Sequence, residues 1–144
     1  MLLRSLRTGQ EIKRDLDFES VEDVAFSPDS KLFAAASSFG GAKIWETETL
    51  RDTGALSAFL DATFSACFSG NGRRLAIGGS GNLKLWDTES RHEVITLEAE
   101  GSMFWPTAFS ANDNILGASN WKGVLQFWRA PSWEQIARQE QHQQ

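Results

Sequence analysis

The 144-residue sequence predicts an all-β repeat protein: three consecutive four-stranded antiparallel sheets, preceded by a stray outer strand. Two sets of landmarks predict it. Val24-Ala25-Phe26-Ser27-Pro28-Asp29, Ala66-Cys67-Phe68-Ser69-Gly70-Asn71 and Thr107-Ala108-Phe109-Ser110-Ala111-Asn112 each join an apolar triplet to a polar turn. Downstream, Ala42-Lys43-Ile44-Trp45, Leu83-Lys84-Leu85-Trp86 and Leu125-Gln126-Phe127-Trp128 each place a long polar residue two before a tryptophan. The tryptophans are 41 and 42 residues apart, and the phenylalanines of the first set 42 and 41. One period shared by independent landmarks marks a repeat.

Within a unit the apolar residues come in short runs between turn residues, without helical spacing. In the first unit, strand a covers Val21 to Phe26, followed by the turn Ser27-Pro28-Asp29-Ser30. Strand b covers Leu32 to Ser37 and turns at Phe39-Gly40-Gly41 into strand c, Ala42 to Glu46. A more polar strand d, Asp52 to Ala58, faces water. Strands a and b are apolar on both faces, as in Leu32-Phe33-Ala34-Ala35-Ala36, which suits a sheet held between two others. The small residues of Ala76-Ile77-Gly78-Gly79 would let neighbouring sheets approach closely. Such a sheet is unstable alone, so the units must cover one another. The expected division is residues 1–20 as the end of a preceding unit, 21–58, 59–100 and 101–138 as three units, and 139–144 as a polar tail.

Composition narrows the function. With 41% hydrophobic and 23% charged residues the chain is that of a soluble domain, and a net charge of -5 without a basic stripe argues against nucleic acid as a partner. No run approaches the roughly 18 apolar residues of a membrane span, and Met1-Leu2-Leu3-Arg4 does not open a signal peptide, which points to the cytoplasm and away from membranes. The lone Cys67 sits in an apolar run and reads as a buried, inert thiol. His92 and His142 lie in polar segments, Gly40-Gly41 and Gly78-Gly79 precede neither a helix nor a Lys-Ser pair, and the carboxylates are scattered through turns. No catalytic, cofactor or metal site is expected, and no cofactor.

At the residues ending strand c, Trp45-Glu46, Trp86-Asp87 and the degenerate Trp128-Arg129, the sequence resembles the WD-repeat family, over residues 16 to 128. The resemblance implies a β-propeller, of which this chain would supply three blades. Many blades of that family carry a buried network of His, hydroxyl, Asp and Trp. The corresponding positions fall near Asp17, Phe59 and Glu100, near Ala35, Ile77 and Ala118, and near Phe39, Ser80 and Lys122, so that only the tryptophans match. Apolar packing is left as the main support, and all three tryptophans should be mostly buried.

The resemblance also implies a non-catalytic scaffold for a protein or peptide partner. Contacts would come from the starts of strands a and the b–c turns, here Glu22, Phe64 and Trp105 with Ser38, Phe39 and Trp121. Phe64 and Trp105 can equally be read as packing into a central channel. The alternative function is a C-terminal regulatory or sensor segment of a larger enzyme such as a bacterial protein kinase, because Trp128 to Glu134 looks like the end of such arrays.

Closed propellers have roughly four to eight blades, so three blades leave apolar faces open. Either the chain belongs to a longer propeller, the reading favoured by a Met1 inside a blade, or two chains close a six-bladed ring by exchanging the N-terminal strand at Gln10 to Leu16. The choice turns on residues 132–140. Ile136 aligns with Val94 of strand d, whereas Ser132 and Gln135 have capping-box spacing for a helix.

Overall fold

The computed structural model describes residues 2–4, 6–13, 18–39, 41–56 and 62–130, and these contain β-strands and no helix. After a hairpin of β1 (Leu2–Arg4) and β2 (Glu11–Lys13) comes a sheet of β3 (Val21–Phe26), β4 (Leu32–Ser37), β5 (Ala42–Glu46) and β6 (Asp52–Leu56). A second sheet follows from β7 (Thr63–Phe68), β8 (Arg74–Gly79), β9 (Asn82–Asp87) and β10 (Glu93–Glu98). The third holds β11 (Thr107–Phe109), β12 (Ile115–Ser119) and β13 (Leu125–Arg129). Each strand pairs antiparallel with its neighbour in the chain. The first three strands of the first sheet match the expected spans, and the place of a fourth strand or helix after β13 lies outside the described residues.

One hydrogen-bonding scheme, repeated three times, sets the a–b turns. The hydroxyls of Ser27, Ser69 and Ser110 donate to Asp29, Asn71 and Asn112, two residues on, at 2.7 to 2.9 Å. The same hydroxyls accept the amides of Leu32, Arg74 and Ile115. Ser30, Gly72 and Asp113 take the left-handed conformation at equivalent places. Short polar side chains that bond their own backbone are what such turns need, so the turns fall where the serines are.

The sheets stack face to face. Between the first and second, Ala34, Ala36, Ile44 and Leu56 meet Ala66, Phe68, Ile77 and Trp86. Between the second and third, Ala76 and Leu83 meet Phe104, Leu116 and Ala118. Polar ties cross both junctions: the Asp23 carboxylate accepts the Ala66 amide at 3.0 Å, and the Ser65 hydroxyl donates to the Phe104 carbonyl at 2.9 Å. Thr63, fully buried, accepts the Ser37 amide and donates across to the first sheet. Glycine and alanine in β4 and β8 allow this approach, which leaves a Cβ at Gly78 only 2.5 Å from the Phe104 carbonyl.

The structure adds detail to three of the expectations. Of the outer strand expected at Gln10 to Leu16, the described part is Glu11–Lys13, which pairs with Leu2–Arg4 as a hairpin. All three tryptophans stand on third strands, Trp45 and Trp86 buried and Trp128 partly buried against the second sheet. Cys67 is half-buried, not buried, and its burial raises its thiol pKa, which disfavours the thiolate.

Two carboxylates at the c–d turns are held well below their ordinary range. The amide and hydroxyl of Ser90 and the guanidinium of Arg74 hold the Asp87 carboxyl at about 2, below its ordinary 3.8. Arg51 and Thr49 hold Glu46 at about 2 in the same way. A carboxylate depressed on folding stabilises the fold above its unfolded pKa, and that contribution disappears as pH falls through the folded value. Melting temperature should therefore fall from the ordinary carboxylate range down to about pH 2, and Asp87→Asn should flatten that fall. An Asp87→Asn melting profile parallel to the parent's would refute the assignment.

Candidate interaction surface

Strand register places the expected contact residues at one end of the stack. In the first two sheets the a–b ladder slips by one residue, between Val21 and Asp23 and between Thr63 and Ser65. Glu22 and Phe64 are the residues left over, and a bulge re-aims a side chain away from the regular face. Trp105, before the first paired residue of β11, takes the corresponding place, its amide bonded to the Ser119 carbonyl. Glu22 is exposed and Phe64 half-buried. Ser38 is half-buried, with its amide and hydroxyl both directed to the Ser20 carbonyl. Phe39, Trp105 and Trp121 are 77%, 59% and 64% exposed.

These residues do not form one aromatic cluster. The described ring contacts are Phe18–Trp45, Phe26–Phe33 and Phe33–Trp45, all within the first sheet and its approach. The dense part of the surface belongs to the third sheet, where two loops are knit together. Asn120 donates its side-chain amide to the Glu100 carbonyl at 3.0 Å, while its side-chain oxygen accepts the amides of Lys122 and Val124. Gln126 donates to the same carbonyl and accepts the Glu100 amide. The Trp121 indole N–H donates to the Ser102 hydroxyl at 3.1 Å. Gly101, at φ 107°, packs so tightly on Asn120 that a Cβ there would overlap its side chain.

The loops so fixed present Met103, Trp105, Trp121 and Val124 to solvent as large apolar side chains. Met103 and Val124 were absent from the sequence-based set. The charge around them is mostly negative: Glu19, Glu22, Glu98 and Glu100 are exposed near this end, and the Lys122 ammonium lies 5.7 Å from the Trp121 ring centroid. Aromatic side chains held by their neighbours bury much area on binding at little entropic cost.

Elsewhere the chemistry is plain. His92 is exposed, and His142 lies outside the described residues. Among the described residues no three His, Cys, Asp or Glu side chains gather as a metal site would require, and no helix is long and apolar enough to cross a membrane. A cleft at the opposite end, between the turns of the first two sheets, is lined by Pro28, Asn71, Arg73 and Thr88.

The family model described as WD domain, G-beta repeat, matches residues 13–46 and 56–87, the stretches that end at the first two c-strand tryptophans and their following acids. No curated protein matches the chain.

Proposed function

Since this chain is a WD-repeat protein, and such repeats are generally non-catalytic platforms for protein interaction, we propose that it is a scaffold whose partner docks at the end where the a strands begin. The supporting observation is the pair of hydrogen-bonded loops that hold Met103, Trp105 and Trp121 in solvent. Exposed apolar side chains are common singly; a cluster fixed by a side-chain network is suited to recognition. The surrounding glutamates favour a protein or peptide that brings cationic side chains beside apolar ones. Glu22, Ser38, Phe39 and Phe64 extend the same end toward the other two sheets.

Affinity capture from an extract of the source cell tests this. The parent chain should retain a partner that Trp121→Ala and Trp105→Ala lose, with a weakening of at least about 30-fold, the size of a hot-spot truncation. Val94→Ala, on the exposed outer strand β10, should retain it. Identical protein sets on all four chains would reject the surface.

A further inference from the structure

One exposed ring at the proposed docking end already carries a cation. Among the described residues two ammonium groups stand over aromatic rings: Lys43 over the half-buried Phe18, and Lys122 over Trp121, which stands in solvent. The Lys122 ammonium is 5.7 Å from the Trp121 centroid, inside the roughly 6 Å over which a ring face attracts a cation. The ring is held by its own neighbours. Its indole N–H donates to the Ser102 hydroxyl at 3.1 Å, and the turn that carries it is closed by the Gly123 amide on the Asn120 carbonyl and the Lys122 amide on the Asn120 side-chain oxygen. Asn120 is buried, so this anchor belongs to the fold, while Trp121 keeps most of its surface in solvent.

Lys122 is itself exposed, and keeping its ammonium over the ring restricts a long flexible stem. A guanidinium is planar and less strongly hydrated, so it stacks on an indole at a smaller loss than an ammonium does. Glu98, at the end of β10, and Glu100, whose carbonyl accepts the Asn120 side-chain amide, are both exposed beside this turn and attract an incoming cation. Resting on the scaffold reading above, we propose that Trp121 receives an arginine side chain of the partner segment, and that Lys122 occupies this place in the unbound protein and is displaced on binding. Met103 and Trp105 then receive the apolar residues that flank the arginine. Lys122 thereby sets specificity. A segment without a cation leaves Lys122 on the ring, and only a cation that stacks better than an ammonium replaces it.

The probe is a synthetic pentapeptide, Gly-Leu-Arg-Leu-Gly with both ends blocked, and two counterparts in which citrulline or lysine replaces the arginine. Citrulline keeps the shape of arginine and lacks its charge. Each is titrated into the isotopically labelled full chain while the indole N–H resonances of its six tryptophans are followed; that of Trp121 is the one missing from Trp121→Phe. The arginine peptide should shift this resonance to saturation, the lysine peptide more weakly, and the citrulline peptide not at all. Lys122→Gln should bind the arginine peptide about 2- to 5-fold more tightly, the size of an exposed cation–ring contact. Arg73→Gln, which removes one positive charge at the opposite end, should bind it as the parent does. Both altered side chains are exposed, so both variants should fold. Equal shifts from the arginine and citrulline peptides, no shift from either, or a Lys122→Gln chain that binds no more tightly than Arg73→Gln overturns the proposal. The scaffold reading is judged apart from it: a captured partner that Trp121→Ala loses, together with pentapeptides that leave the ring untouched, overturns the arginine site and keeps the docking surface.

Discussion

Trp86→Ala should lower the free energy of unfolding by about 3 to 5 kcal/mol, as expected of a large aromatic removed from a packed interface. Trp86 stands on the leading face of the second sheet, against the alanines and Ile44 of the first. Its indole N–H is buried with no partner among the described residues. A buried donor left unpaired costs about 1 to 3 kcal/mol, a burden the native protein already carries. Trp86→Phe removes that donor while keeping most of the apolar surface, so its cost should be well below that of Trp86→Ala. Trp128 holds the same place in the third sheet but is less fully buried than Trp86, and Trp128→Ala should cost less than Trp86→Ala. Denaturant unfolding of the three variants decides. Equal losses for Trp86→Phe and Trp86→Ala would refute the unpaired donor, and equal losses for the two alanine variants would refute the junction as the source of stability.

The strands of the first sheet are legible in the sequence because both ends of each are marked. Ser27-Pro28-Asp29-Ser30 closes β3 through a side-chain hydrogen bond that depends on residue type alone, and its counterparts at Ser69 and Ser110 repeat it. The N-terminal hairpin is less legible. Leu2–Arg4 is only three residues long and lacks the tryptophan that marks strand c elsewhere.

At the interaction surface the b–c turn and the start of strand a could be placed by counting from the repeat landmarks. The loop from Ala99 to Phe104 could not. Its shape comes from Asn120 and Gln126, roughly 20 to 26 residues away, and nothing in Gly101-Ser102-Met103 announces those bonds. The same loop hides Phe104, which lies between strands yet is fully buried, with its amide bonded to the Gly79 carbonyl. One signal was available. Gly78 in the middle of an apolar strand suggests a close approach by another backbone, and the approaching backbone is that of Phe104.

That contact makes Gly78→Ala destabilising, by about 1 to 3 kcal/mol, although alanine suits an extended strand better than glycine. A methyl group at Gly78 would stand 2.5 Å from the Phe104 carbonyl oxygen, 3.2 Å from its Cβ and inside contact distance of the Ser65 hydroxyl. Two of those three atoms belong to the third sheet, so relief requires the second and third sheets to part, which loosens the packing of Leu83 on Phe104. The first junction shows the alternative solution at the equivalent position. There Ala36 holds the place of Gly78, fully buried, and its methyl is accommodated. Gly117, on the second strand of the third sheet, supplies the control. Among the described residues, a methyl group there meets the ring of Phe127 at 3.0 Å, and that side chain is 66% exposed and can give way. Gly117→Ala should change stability by no more than about 0.5 kcal/mol. If thermal or denaturant unfolding gives the two substitutions equal costs, or shows Gly78→Ala to be neutral, the second and third sheets are not in the close contact that this junction requires.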